Sequence, residues 1–228
     1  MRVEKKFTIK AEMLNQVRES VSNSKLGFSK VYDDRYVNSI YLDSFNFENY
    51  QENLAGMSQR SKARVRWYSS SPFSELSSST KLGLEIKLRN NIFGNKLTCF
   101  IDLPENSDSL SSLEIIQLLR QQLPKEFLPH IDHCNELSLG VSYLREYYED
   151  FNKDLRVTID SNIQFFRPES QNTLQHSNIN KLSMDYSILE CKFSPEFAKV
   201  AEDTISALGE VSVGRHSKYS VGIYLTNT

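Results

Sequence analysis

Residues 60–68, Arg60-Ser61-Lys62-Ala63-Arg64-Val65-Arg66-Trp67-Tyr68, form a basic comb with a cation at every second position. A strand repeats every two residues, so on a strand all four cations share one face while Ala63, Val65 and Trp67 share the other. Such a face asks for a polyanion.

The same alternation recurs outward in both directions. Arg2, Glu4 and Lys6 alternate with Val3, Lys5 and Phe7, and Glu85, Lys87 and Arg89 alternate with Leu84, Ile86 and Leu88. Further on, Tyr143, Arg145 and Tyr147 share one phase. Arg156, Thr158 and Asp160 oppose Leu155, Val157 and Ile159, and Glu190 and Lys192 oppose Leu189, Cys191 and Phe193. One such strand is explained by an antiparallel sheet with a wet face. Recurrence of Arg and Lys, with an occasional carboxylate, is instead the composition of a phosphate site.

The charge balance narrows the partner. The 228 residues carry 27 Lys and Arg against 29 Asp and Glu, for a net charge of −2, which excludes a generally basic nucleic-acid coat. Cations gathered on one face leave the acids elsewhere, in segments such as Asp33-Asp34, Glu146, Glu149-Asp150 and Glu202-Asp203. A single-stranded nucleic-acid binder would need aromatics beside the cations, yet Trp67 falls on the opposite phase. Cys99, Cys134 and Cys191 are widely spaced without a CxxC pair, so they read as free thiols in a reducing compartment, with no Cys/His metal site. No apolar run approaches a bilayer span and no signal-type segment opens the chain, which predicts a cytoplasmic protein.

The coarse element reading is as follows. Strands are expected over 2–9, 36–43, 60–68, 81–89, 96–103, 141–149, 155–165 and 185–193. Helices are expected at Ala11–Ser22 with Met13, Leu14, Val17 and Val21 on one side, at Phe45–Leu54 before Gly56, and over 109–127. In the last of these Leu110, Leu113, Ile116, Leu119 and Leu123 form a core-facing stripe. Pro195 and Gly209 bracket another helix through Leu208. Serine-rich Ser69–Thr80 reads as a flexible loop, Pro168–Asn180 as a polar insertion, and Val213–Tyr219 as a basic tail. The strand pattern runs nearly end to end, so one domain is expected over 1–228. Without regular βαβ alternation the sheet should be antiparallel. About eight strands with one charged face bury that face by closing. The predicted fold is therefore α+β but mainly β, a closed eight-stranded antiparallel barrel with a polar, basic lumen and flanking helices.

Cations crowded into a lumen repel and lose hydration, and a chain of phosphates removes that cost. Glu4, Glu85 and Glu190 are candidate hard ligands for Mg²⁺ or Mn²⁺, although Glu85 reads better as a partner for a neighbouring cation. Phosphoryl transfer needs positioning and charge neutralisation more than a protein nucleophile. P-loop, GxGxxG, HExxH and GxSxG signatures are missing. His130, His133 and His176 read as surface residues, and His216 sits in the basic tail.

Together these stretches resemble a known family: RVEKKF at 2–7, SIYLD at 39–43, KARVRWY at 62–68, LEIK at 84–87, YLREYY at 143–148, RVTID at 156–160, LECKF at 189–193 and RHSKY at 215–219. The chain is similar to the VTC-type polyphosphate polymerase domain of the triphosphate tunnel metalloenzyme superfamily. The resemblance implies an eight-stranded tunnel that takes ATP and inorganic polyphosphate. It implies phosphate contacts from Lys6, Arg64, Arg66, Lys87, Arg145 and Arg156, with Tyr143, Ser217 and Lys218 near a tunnel mouth. Glu190, joined by Glu4, would hold Mn²⁺ or Mg²⁺. The polar phase adds Arg2, Lys62, Arg89, Lys96 and Lys192 as further substrate-binding candidates. Arg2 stands where the wider superfamily places its first acidic residue, a departure that agrees better with a polymerase than with a two-metal hydrolase. Sensor and membrane domains of the eukaryotic relatives do not fit in this length, which leaves a separate membrane-protein partner, and a peripheral placement through it, as an expectation. Three activities remain open: an ATP-dependent polyphosphate polymerase, a tripolyphosphate or nucleoside triphosphate hydrolase, and a non-catalytic polyphosphate-binding module.

Overall fold

The computed structural model describes residues 3–74, 76–91, 93–105, 107, 110–168, 181–209, 211–214 and 216–227. Arg2, His176, Arg215 and all of the polar insertion beyond Pro168 lie outside the described residues.

The architecture is mainly antiparallel β-sheet with a few helices. Eight long strands are β1 Val3–Lys10, β2 Ser29–Asp43, β3 Gln59–Ser69, β4 Leu82–Asn90, β5 Phe93–Ile101, β6 Glu136–Glu149, β7 Leu155–Phe166 and β9 Tyr186–Phe193. Among the described residues, two-residue strands β8 Leu182–Ser183 and β10 Ser212–Val213 complete the set. The hydrogen-bonded order is β10-β1-β9-β7-β6-β2-β3-β4-β5, with β8 on β7. The pairs β1·β10, β1·β9, β7·β9, β3·β4 and β4·β5 are antiparallel. This path has two ends, so hydrogen bonding does not close the sheet into the expected barrel.

The chain divides into two compact units. The first comprises residues 1–36, 143–163 and 183–216. Its core is built by the alternation foreseen on β1, β7 and β9: Phe7 and Ile9, then Leu155, Val157 and Ile159, then Leu189, Cys191 and Phe193, all buried. Helix α1, Leu14–Ser22, adds Val17 and Val21 at i, i+4 spacing, after a 3₁₀ turn at Ala11–Met13. Helix α4, Ala198–Ala207, adds Ala201 and Ile205.

The second unit comprises residues 37–142, 164–182 and 217–228. Ala63, Val65 and Trp67 of the comb point into its core with Leu82, Leu84 and Ile86, so the two-residue period of the comb is realised. Helix α3, Ser112–Gln122, starts in a capping box between Ser111 and Glu114. Its core stripe is Ile115, Ile116, Leu119 and then Leu123; Leu113 is exposed, because at about 100° per residue it falls outside that stripe. Helix α2, Glu48–Leu54, is shorter than expected at its start and ends before Gly56, whose φ is 65°.

Several segments depart from expectation, among them β6, which begins at Glu136 where 141 was expected, and α3, which covers only Ser112–Gln122 of the expected 109–127. Strand β2 begins seven residues earlier than the predicted Tyr36, in Ser29–Arg35, where neither phase is buried, Val31 and Tyr32 included, so no alternation marks it. The serine-rich segment is anchored: Phe73 and Leu76 are buried, and the Phe73 N–H donates to Asn38 Oδ1 at 2.8 Å. The basic tail ends in a helix, α5, Lys218–Thr226, capped by Ser217, whose Oγ accepts the Ser220 N–H at 3.2 Å. There Gly222 packs so closely that a β-carbon would stand 2.5 Å from Leu139 and 2.7 Å from Phe165. No helix among the described residues is long and apolar enough to cross a membrane.

Candidate functional site

In the second unit the polar phases of β3, β4 and β5 are stacked by register into rows. Arg60 faces Arg89, Lys62 faces Lys87 and Lys87 faces Lys96, and Arg64 faces Glu85. A row of Lys62, Lys87 and Lys96 sets like charges directly opposite one another, which destabilises a bare sheet. One carboxylate serves much of this face. Glu85 Oε2 accepts from Arg64 Nε at 2.8 Å and Nη2 at 2.6 Å, Glu85 Oε1 accepts from Lys96 Nζ at 2.7 Å, and Arg66 Nη1 lies 3.5 Å away. The expectation that Glu85 pairs with a cation holds.

Two buried groups register the positive potential. Burial alone would raise the Glu85 carboxyl, but Arg64, Arg66 and Lys96 outweigh it and hold it down at about 2. Tyr41, whose hydroxyl takes a hydrogen bond from Arg64 Nη1 at 2.9 Å, is likewise opposed by burial and lowered to about 8 by Arg64, Arg66 and Lys62. Arg66 Nε donates to Ser39 Oγ at 3.1 Å.

Helix α5 brings Ser217 to the same face. Lys62 Nζ donates to Ser217 Oγ at 2.9 Å and lies 5.8 Å from the Tyr219 ring centroid. Tyr219 stacks on Tyr41 at 4.7 Å between ring centroids, and its hydroxyl donates to Asp43 Oδ2. Asp43 is fully buried and also accepts the backbone N–H groups of Ser44, Asn49 and Tyr50, so it ties α5 to α2. Burial and the Asp43 charge hold the Tyr219 hydroxyl far above its ordinary range. Lys218 is the first residue of α5.

In the first unit the register pairs opposite charges instead. Lys6 faces Glu190 and Glu4 faces Lys192. The four side chains interlock: Lys6 to Glu4 at 2.9 Å, Lys6 to Glu190 at 3.3 Å, Lys192 to Glu190 at 2.6 Å and Lys192 to Glu4 at 3.6 Å. Against the opposing effect of burial, Lys6, Lys192 and Arg145 hold the Glu190 carboxyl well below the usual range, and Glu190 and Glu4 raise Lys6. Arg145 forks onto buried Asp160 at 2.5 and 2.7 Å and lies 5.1 Å from the Tyr143 ring; Asp160 more than offsets burial and raises it well above an ordinary guanidinium. Arg156 is held by Glu149 at 2.7 Å.

The donor set bears on a divalent ion. Among the described residues no cluster of three His, Cys, Asp or Glu side chains could cage a metal. Glu4 and Glu190 converge on Lys6, and Thr158, across from Glu190 in register, has a buried hydroxyl without a hydrogen-bond partner. Mg²⁺ is commonly held by one or two carboxylates with substrate phosphates completing its shell. Two carboxylates and an unpartnered hydroxyl fit that arrangement.

The structure thus groups Lys6, Glu4, Glu190, Lys192, Arg145 and Tyr143 in one unit, with Arg156 on an exposed pair. It groups Lys62, Arg64, Arg66, Lys87, Lys96 and Ser217 in the other, with Lys218 adjoining and Arg89 one row farther out. Sequence reasoning gave no role to Tyr41, Asp43 or Tyr219; the first two sit in the quoted SIYLD stretch, but their partners come from remote segments. Two of the histidines are engaged in ordinary hydrogen bonds: His133 with Asn49 at 3.1 Å and His216 with Thr8 at 3.1 Å.

No curated protein matches this chain. Among solved structures, a Vibrio parahaemolyticus protein proposed to be an adenylate cyclase is similar over 96% of each chain, at 10% identity and a TM-score of 0.47, too distant to argue from. The family model for the VTC domain matches residues 1–227, spanning every strand and both charged clusters, and the chain belongs to the VTC domain family.

Proposed function

We propose that this chain is a metal-dependent polyphosphate polymerase, transferring the γ-phosphate of ATP to the end of an inorganic polyphosphate chain. Family membership supports an enzyme of the triphosphate tunnel class. The observation that carries the reading further is the Lys62, Lys87 and Lys96 row, set opposite one another by register beside Arg64 and Arg66. A polyanion laid along the strands relieves that repulsion, because each row offers cations to phosphoryl oxygens.

In the proposed step a terminal phosphate oxygen of the chain attacks the γ-phosphorus in line. The bond from that phosphorus to the β,γ-bridging oxygen breaks, and ADP leaves with the electron pair. Arg64 and Arg66 neutralise the equatorial oxygens of the transferring group, and Glu85 keeps their guanidiniums aimed. Lys62, Lys87 and Lys96 bind the flanking phosphates, with Ser217 and Lys218 beside Lys62. Glu190 and Glu4 are the residues that would hold Mn²⁺ or Mg²⁺, which when bound supplies charge neutralisation at phosphate oxygens. Lys6, Lys192, Arg145 and Arg156 are cations that exchange a carboxylate partner for a phosphate. Closure of the polar face into a tunnel belongs to the same proposal, since it would keep water from the phosphoryl group.

The test is ³¹P NMR of the purified protein with ATP and Mn²⁺ or Mg²⁺, with and without a short polyphosphate primer. Growth of an internal-phosphate signal matched by ADP, lost in Arg64→Ala and Glu190→Ala, is the expected result. Orthophosphate alone would identify a hydrolase, and unchanged ATP with retained polyphosphate binding would identify a binding module.

A further inference from the structure

We infer that Tyr41 is a positioning residue for Arg64: its hydroxyl and the Glu85 carboxylate clamp the guanidinium from opposite sides, so that it meets a phosphate in one fixed orientation. This rests on the reading of the β3–β4–β5 face as a phosphate site and adds what that reading leaves unassigned, namely what holds its central arginine.

Arg64 stands on β3, and the sheet order places β2 on one side of that strand and β4 on the other. From β4, Glu85 Oε2 accepts from Nε at 2.8 Å and from Nη2 at 2.6 Å. Both bonds end on one oxygen, so this contact lacks the directional constraint of a fork onto two oxygens, and the guanidinium can pivot about it. From β2, the Tyr41 hydroxyl accepts from Nη1 at 2.9 Å. That third anchor stops the pivot, because every nitrogen of the guanidinium is then held.

The alternation of β2 supplies the anchor. Ile40 and Leu42 lie in the core, so Tyr41 lies on the opposite face with Ser39 and Asp43. Ser39 serves Arg66 in the same way, its Oγ accepting from Nε at 3.1 Å. The two arginines differ in access: the Arg66 side chain is 9% exposed and that of Arg64 is 25%. Tyr41 therefore orients the arginine that keeps more of its surface for a ligand.

The hydroxyl is the informative group. Tyr41 is buried, and a ring that served packing alone would do as phenylalanine, whereas a buried hydroxyl has to find a partner. The ring is itself immobilised. It stacks on Tyr219 with centroids 4.7 Å apart, the Tyr219 hydroxyl donates to Asp43, and Asp43 is fixed by the N–H groups of Ser44, Asn49 and Tyr50. A chain from Asp43 through Tyr219 and Tyr41 thus sets Arg64 before any ligand arrives, and a side chain ordered beforehand loses less freedom on binding.

Isothermal titration of the full chain with inorganic tripolyphosphate and Mg²⁺, carried through a double-mutant cycle, tests this. Tyr41→Phe keeps the ring and deletes the hydroxyl. It should weaken tripolyphosphate about tenfold in the otherwise native protein and by less than about twofold in an Arg64→Ala background, where the clamp has nothing to hold. Equal losses in the two backgrounds, or none in the native one, overturn the positioning role while the phosphate reading stands. A second readout needs no change at Tyr41: NMR of the ¹⁵N-arginine-labelled wild type, with the Arg64 signals assigned by their absence in Arg64→Ala, should resolve separate Nη1 and Nη2 resonances, since both ends are held. A single averaged Nη resonance overturns the clamp. Wild-type protein that binds no tripolyphosphate overturns the phosphate reading itself, and this inference with it.

Discussion

The two units use the same strand alternation and reach opposite electrostatic states. On β1 and β9, register sets Lys6 against Glu190 and Lys192 against Glu4, so each cation has an acid across the ladder. On β3, β4 and β5, register sets Lys62, Lys87 and Lys96 in one row, and Glu85 is shared by Arg64, Arg66 and Lys96. A period of two decides which face a side chain occupies; only register decides what it meets there. The charges of the first unit therefore pair off across the ladder. The second sets like charges side by side, an arrangement that the proposed polyanion would relieve.

The sharpest way to break this comparison is to remove one arginine from each unit. Arg64→Ala deletes a fork that needs only to share Glu85, and kcat/KM for ATP should fall by about 100-fold or more. Arg156→Ala deletes a cation that must first leave Glu149, and its loss should stay below about tenfold. Equal losses would mean that register does not separate the two units functionally.

Neutralising one acid in each unit sharpens the contrast. Glu190→Gln should raise the Mn²⁺ concentration needed for half-maximal activity by at least about tenfold. Glu85→Gln should leave that requirement alone but lower thermal stability, because three cations lose their shared acceptor. Its deficit, on the order of 3 kcal/mol, should shrink when tripolyphosphate is added, since the added anion supplies the missing charge. A Glu85→Gln protein that melts like wild type, or gains no more from tripolyphosphate than wild type does, would refute Glu85 as the shared acceptor of this face.

Acid titration follows from the same carboxylate. The Glu85 carboxyl is at about 2 in the fold against an ordinary 4.5. Its folded value is depressed, so its contribution is fully present above pH 4.5 and is lost as pH falls toward 2. The difference corresponds to roughly 3 kcal/mol. Urea melts between pH 5 and pH 2.5 should show a smaller loss of stability in Glu85→Gln than in wild type; parallel curves would show that Glu85 is not held down in this way.

Much of this was legible in the chain and some was not. Alternation located all eight long strands and put Ala63, Val65 and Trp67 in the core, because a two-residue period survives on any strand with one buried face. The opening of β2 escaped, since Ser29–Arg35 has no buried phase to betray it. Leu113 was misplaced because spacings of three and four admit two adjacent stripes on a helix. The comb and Glu190 were visible as residue types. Their partners were not: the fork of Arg145 on Asp160 and the tie of Tyr219 to Asp43 join segments that local sequence does not relate. Family resemblance located Ser217 but not the helix that carries it, because α5 is apolar on nearly every side and lacks an amphipathic signature.

The smallest expected effect is also the most direct report on the second unit. Tyr41 is buried beside Arg64, which donates to its hydroxyl, and three cations outweigh burial to lower it to about 8 from 10. Because the folded value is depressed, stability gained from this phenol appears as pH rises from about 8 to 10, where the folded protein has released a proton that the unfolded chain still holds. Tyrosinate absorbance near neutral pH should show one early-titrating phenol, missing in Tyr41→Phe. Bound tripolyphosphate brings negative charge to the same cations and should push this titration back toward 10. A shift in that direction ties the lowered phenol to the cations of β3 and to the proposed anion, whereas a titration indifferent to tripolyphosphate would separate Tyr41 from the proposed anion site.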